Sequence, residues 1–233
     1  MIRITLSGFL ILLSLTACNV KDQPSDSREI TFDFTDGPQG WTGMFSDYPQ
    51  GEEDFYELEF IWSGLPEPLD TNQMAVKLSG NNHSDDLFSY MFTRVRQLIP
   101  TTTYQVTFEI EMASNVATNS VGIGGSPDLA LGAGGIAYQP GDTVDDAGWR
   151  RPIFNVDLQS GQSNDVMQVL GTLGVTDTTT VYTLTDRDNL DEPINLTTNE
   201  FGDLYLLIGF DSGFEGKTTV YFKTVTVKLK YWN

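Results

Sequence analysis

The sequence predicts an all-β domain, an antiparallel β-sandwich or barrel, on three observations. Apolar residues recur at every second position over most of the chain. Clusters of Gly, Pro, Asn and Asp, such as GNNHSDD and DRDNLDEP, separate the alternating runs. No apolar stripe of helical period runs longer than two turns, and no repeat of fixed length occurs. Short strands joined by turns must bury their dry faces against a second layer.

The first element is not part of that fold. Arg3 is the only charge in the first twenty residues, and Ile4 to Leu15 form an apolar run. The run is shorter than the roughly 20 residues of a membrane span, so residues 1–17 read as an export signal. Its end, Leu15-Thr16-Ala17-Cys18, resembles the lipobox of bacterial lipoproteins. That resemblance implies lipidation of Cys18 and a lipid-anchored place in the bacterial envelope, at the outer membrane or cell surface. Cys18 is the only cysteine, which excludes an internal disulfide framework. Residues 18–29 are polar and without an aromatic, as a flexible tether would be. Residues 30–233 are expected to form a single domain.

Through that domain the strands can be read in order. In YELEFIW, Tyr56, Leu58, Phe60 and Trp62 share a face opposite Glu57 and Glu59, so Trp62 is expected in the core. In YQVTFEIEM, Tyr104, Val106, Phe108, Ile110 and Met112 point one way, and Gln105, Thr107, Glu109 and Glu111 the other. FNVDLQ repeats the pattern with Phe154, Val156 and Leu158, and LYLLIGF with Leu204, Leu206, Ile208 and Phe210. VTVKLKYW turns Val225, Val227, Leu229 and Tyr231 inward and Lys228 and Lys230 outward. Such alternation marks strands with one dry and one wet face. The glycine run from Gly122 to Gly135 lacks the strand-to-helix setting of a phosphate loop and reads as a turn.

Composition narrows the chemistry. The formal charge is −19, with 32 acids against 13 Lys and Arg, which opposes nucleic acid and anionic surfaces as partners. His83 is the only histidine and lies in a turn-like loop, so paired-histidine metal sites and a Ser/His/Asp device have little to work with. Carboxylates are the abundant catalytic type. Glu57 and Glu59, and Glu109 and Glu111, sit two apart on strand faces, about 7 Å between neighbours. A glycosidase needs two such groups flanking a sugar bond. A solvated strand face needs nothing further and is the reading taken.

Other side chains are candidates for ligand binding. GWTGMFSDYPQGEED is aperiodic and glycine-rich, hence a loop, and it carries Trp41 and Tyr48. Aromatics on a loop either stack on a ligand or cap the core. Arg94 and Arg96 extend the alternation of Phe88, Tyr90 and Phe92 and could meet sugar hydroxyls or surplus acids. Asp211 and Glu215 leave a strand in GFDSGFEGK, where a loop could reach the same face.

The order ITFDFTDGPQGW, MAVKLSG, LFSYMFTRVRQLIPTTTYQVTFEIEM and TTVYFKTVTVKL resembles the jelly-roll, galactose-binding-like carbohydrate-binding modules of bacteria. GWTGMFSDYP and GFDSGFEGKTTVY are also similar to phrases in a set of uncharacterised bacterial lipoproteins. The first resemblance implies a jelly-roll sandwich and a non-catalytic module with carbohydrate as partner. It also implies a calcium between first and last strands. Asp33 and Asp36 match that site loosely, but Lys223 stands where a carboxylate ligand belongs. No cofactor is therefore expected. A glycoside hydrolase or polysaccharide lyase, or a structural envelope lipoprotein, are the alternatives.

Overall fold

The computed structural model describes residues 27–176 and 180–231. Cys18, the export signal and most of the tether fall outside the described residues. The strands, in chain order, are β1 (Ser27–Asp33), β2 (Thr42–Ser46), β3 (Tyr48–Pro49), β4 (Glu59–Gly64), β5 (Met74–Asn81) and β6 (Leu87–Val95). They continue as β7 (Thr103–Ser114), β8 (Val116–Ala117), β9 (Ala130–Ile136), β10 (Asp142–Val144), β11 (Trp149–Pro152) and β12 (Met167–Thr172). The last are β13 (Gly174–Thr176), β14 (Thr183–Asp188), β15 (Ile194–Thr197), β16 (Leu204–Ser212) and β17 (Lys217–Tyr231). A 3-10 turn at Phe34–Asp36 is the one helical piece among the described residues.

Two antiparallel sheets form the sandwich. One runs β14-β7-β17-β5-β4, with β1 also on β17 and β15 also on β7. The other runs β12-β9-β16-β6-β2. Between them lies the main core, to which Phe108, Ile110 and Met112 of β7, Val225 and Val227 of β17, and Leu206, Ile208 and Phe210 of β16 contribute. The alternation read in β7 and β17 is the alternation observed. Phe108 is completely buried, whereas Glu109 reaches solvent and pairs with Lys228 at 2.8 Å. β1 opens at Ser27 opposite Lys230, so three residues expected in the tether are strand.

The five-stranded sheet departs from the one-wet-face pattern. All nine residues of β16 are buried. Leu204, Leu206, Ile208 and Phe210 face the main core, while Tyr205 and Leu207 belong to a second cluster with Phe88, Tyr90, Ile136, Phe154, Leu158 and Met167. The cover over this outer face comes from the stretch read as a strand, FNVDLQ. Phe154 and Leu158 are indeed buried, but the segment is an irregular lid and not a ladder strand. Glycines make room for it. A Cβ on Gly132 would lie 2.6 Å from the Leu158 side chain, and one on Gly134 would lie 1.9 Å from the Val166 carbonyl oxygen. Close backbone approach is thus the reason for glycine in β9, and half of the run expected to be a turn is strand.

Of two tryptophans, Trp62 sits opposite to expectation and Trp41 takes the capping alternative. Trp62 is 45% exposed on edge strand β4, and its Nε1 donates to the Phe34 carbonyl at 2.7 Å, lying across the 3-10 turn. The period of two misplaced it because Tyr56 and Leu58 precede the strand: Glu57 is in the left-handed region, at φ 49°, and breaks the phase. Trp41 is 3% exposed in the main core, edge-on to Phe32 at 5.3 Å.

The facing of β7 can be checked by chemical denaturation. Phe108→Ala is expected to cost about 3–5 kcal/mol as a large core truncation. Glu109→Ala, which removes one exposed ion pair, should cost about 0–1 kcal/mol. The reverse order would overturn the assignment.

Candidate functional site

At one rim of the sandwich several chain segments converge on a polar cleft of about 350 Å³. Asp211 comes from the last residues of β16, on its covered face. Register places it opposite Phe88, and Asp86 lies two residues before Phe88 on the neighbouring strand's approach. Asp47 lies in the left-handed region, at φ 66°, where the chain passes from β2 to β3. That kink sends β3 sideways to pair with β11, Arg150 opposite Tyr48. Arg151 follows, with its guanidinium 5.1 Å over the Trp149 ring. The lid closes the remaining side with Phe154, Asn155, Asp157 and Gln159. Gln159 Nε2 donates to the Asp85 carbonyl at 2.8 Å and ties the lid to the rim, while Ser160 N–H donates to Asp157 Oδ1 at 3.1 Å within the lid. A second polar cavity of about 440 Å³ shares Gln159 and extends past Asp85, Ser126 and Asp128 to Phe214.

The cleft is short of positive charge. Arg151 is its nearby cation: Nη1 contacts Asp47 at 2.6 Å and Asp86 at 3.7 Å, and Nε contacts Asp145 at 3.2 Å. Asp211 is only 6% exposed, and its Oδ1 is fully buried without a hydrogen-bond partner. Burial first, then the neighbouring carboxylates Asp86 and Asp47, push the Asp211 carboxyl up to about 7. Burial and Asp47 push Asp86 up to about 6, and the two carboxyls lie within hydrogen-bonding reach of one another. Asp47 is also raised, by burial, against the pull of Arg151. The cause throughout is desolvation of the charged form beside like charges.

Of the residues expected at a site, Asp211 alone lines this cleft. Tyr48 is 4% exposed and packs on Tyr56, with ring centroids 5.6 Å apart, so its ring is core; its hydroxyl reaches Glu53 at 3.3 Å. Trp41 is likewise core, which answers the loop question in favour of capping. Arg94 lies at the far end of β6, paired with Asp203 at 2.5 Å and over the Tyr205 ring at 5.7 Å. Arg96 lies beyond that strand, exposed, with its carbonyl accepting from Arg28. The two arginines therefore stand away from the rim cleft, and the sheet face on which they were expected to meet sugar is roofed by the lid. Glu215 is exposed in the loop that carries the chain from β16 to β17, beside Gly124 of the second cavity.

The glutamates read as strand-face pairs, Glu57, Glu59, Glu109 and Glu111, all meet lysines. Glu57 meets Lys217 at 2.7 Å, Glu59 meets Lys77 at 2.5 Å, and Glu111 meets Lys223 at 2.8 Å. Asp33 does not fit the calcium position that the resemblance implies. Its Oδ1 accepts from the Thr35 N–H and hydroxyl, capping the 3-10 turn, while Asp36 is exposed. Among the described residues no three His, Cys, Asp or Glu side chains stand together as a ready metal cage. His83 is an exposed turn residue, as expected, stacked on Phe55 at 4.2 Å. The members of the cleft that sequence reasoning missed are Asp47, Asp86, Asn155, Asp157 and Gln159. The available signal was the placing of Asp47 and Asp86 at the ends of apolar runs, in FSDY and DDLF.

The raised carboxyls set a pH dependence. Between the ordinary aspartate value of 3.8 and about 7, the folded protein binds more protons here than the unfolded chain. Stability is therefore lost as pH rises through that window. In a chelating buffer the melting temperature should fall by about 5 °C between pH 5 and 8. Asp211→Asn, which faces the same Asp47, Asp86, Asp157 and Arg151, should flatten that slope and raise the value at pH 8. An unchanged slope in the variant would remove Asp211 as its source.

No sequence-family model and no curated protein matches this chain. Solved structures with a similar course include the K3 cleaved adhesin domain of Lys-gingipain from Porphyromonas gingivalis W83, at 11% identity and a TM-score of 0.40 over 87% of this chain and 98% of that one. The carbohydrate-binding module TmCBM27, described for specific mannan recognition, matches at 10% identity and 0.41 over 86% of this chain and 98% of that one. The enzymatically active domain of tailspike protein 4 from bacteriophage CBA120 matches at 9% identity and 0.35 over 80% of this chain, which spans only 19% of that one. The two sheets described above make this chain an antiparallel β-sandwich.

Proposed function

We propose that this chain is an exported, lipid-anchored binding module that takes carbohydrate in the rim cleft and does no chemistry on it. The observation that carries this reading is the lining of the cleft. Asp47, Asp86 and Asp157 accept hydrogen bonds, Asn155 and Gln159 can both donate and accept, and Pro152, Phe154 and Val156 offer apolar surface. A sugar presents the matching set, hydroxyls that donate and accept beside C–H faces that prefer apolar contact. The volume falls within the range of about 300–1,000 Å³ in which small-molecule sites lie.

The carboxyl geometry favours binding over hydrolysis. Retaining glycosidases hold their two carboxyls about 5–5.5 Å apart and inverting ones about 6.5–9.5 Å apart, to flank the scissile bond. Asp86 and Asp211 lie within reach of a shared proton, and Asp211 is 6% exposed, which leaves no room for a sugar bond between them.

The soluble chain should bind a glycan on an array, with the affinity then measured by calorimetry. Asn155→Ala and Gln159→Ala, both exposed, should weaken binding about ten-fold or more while moving the melting temperature by less than about 2 °C. Full-strength binding in both variants would take the ligand out of this cleft.

The anchor is tested separately. Cys18→Ser should release the folded protein from membranes, since acyl chains supply the attachment. A variant that still sediments with membranes after a salt wash would overturn the lipidation reading.

A further inference from the structure

Asp211 poses a problem that the sugar reading leaves open. Its carboxylate is nine-tenths buried, its Oδ1 has no partner, and it lines the cleft. The charged groups acting most strongly on it are the carboxylates Asp86 and Asp47, with no cationic side chain among them, and the carboxylate also takes a hydrogen bond from the Gln159 backbone N–H. Arg151 is committed to Asp47 and Asp145. An unpaired buried charge is costly, and a native fold compensates it with a proton, a cationic side chain or a metal. No cationic side chain compensates Asp211; a proton shared with Asp86 does so at low pH, and where that proton is lost the cleft, open to solvent, admits an ion.

We propose that the inner end of the cleft binds one hard divalent cation of the calcium class between Asp86 and Asp211. Every side-chain donor that faces this end is oxygen, or an amide that offers one. Asn155 and Gln159 stand nearby as neutral oxygen sources, and no histidine or cysteine lines the cleft. Such a donor set selects hard cations and disfavours zinc or copper. Two carboxylates do not close a cage, in keeping with the absence of a three-acid cluster among the described residues. Water and, when present, ligand oxygens complete a shell of 6–8, the usual calcium number. The site is distinct from the first-strand position at Asp33 and Asp36. The inference rests on the cleft described above but not on its ligand being a sugar.

The experiment is a titration of calcium chloride into the full chain carrying Cys18→Ser, by calorimetry at pH 7.5 and without glycan. One saturable site is expected, with a melting temperature that rises with calcium. Asp211→Asn should weaken the affinity at least ten-fold, and Asp36→Asn should leave it unchanged. Asp86→Asn, at a half-buried position, gives the same readout should Asp211→Asn fail to fold. Absence of saturable binding at millimolar calcium would overturn the proposal. Binding lost in Asp36→Asn but kept in Asp211→Asn would overturn it too, moving the ion to the first strand. Because no glycan is used, failure of the carbohydrate reading leaves this result standing.

Discussion

Burial of β16 on both faces is the constraint from which the rest of this structure follows. A strand in an ordinary sandwich keeps one face wet, and polar residues can stand there at no cost. Here the outer face carries Tyr205 and Leu207, so the chain must supply a second apolar layer, and the lid does so with Phe154 and Leu158. The lid needs a close seat, which explains the glycines of β9. The same roof desolvates whatever the strand carries at its end. Asp211 is that residue, and its shifted acidity, its orphan oxygen and the polar cleft around it are consequences of one covered face.

The two sheets differ in how much of them could be read in advance. The seven-stranded sheet was legible because its outer face is solvated: Glu109, Glu111 and Lys228 alternate with core residues and announce the period. The five-stranded sheet was not, because a strand dry on both sides carries no alternation to read. LYLLIGF was assigned one inward face, when both are inward. Gly132 and Gly134 suggested a turn, since a glycine in a strand signals an approach by distant backbone that the local sequence does not contain. The lid was given the right buried residues, Phe154 and Leu158, but the wrong secondary structure. Trp62 was misplaced by one break in phase at Glu57.

The site was legible only at Asp211, which stands where a strand leaves the sheet. Its neighbours come from positions remote in sequence: Asp86 by strand register, Asp47 by a left-handed kink, and Asp157 by the path of the lid. No local pattern encodes such a meeting. The loop aromatics drew attention first, but a ring is as useful for sealing the end of a sandwich as for stacking on a sugar, and Trp41 and Tyr48 seal. Charge is partitioned in the same way. Lys77, Lys223 and Lys228 neutralise acids on the outer face of the seven-stranded sheet. The rim keeps its surplus negative charge, and a concave surface of one sign concentrates counter-ions.

The course of β17 has a further implication for how the molecule stands. This strand runs 15 residues from Lys217 to Tyr231. At about 3.3 Å per residue it crosses roughly 45 Å, the long axis of the sandwich. Ser27 of β1 pairs with Lys230, at one end, while the connection from β16 to β17 and the cleft next to Asp211 lie at the other. The start of β1 and the cleft therefore lie toward opposite ends of β17. A chain held by its N-terminus would carry the cleft at the end of β17 away from the point of attachment.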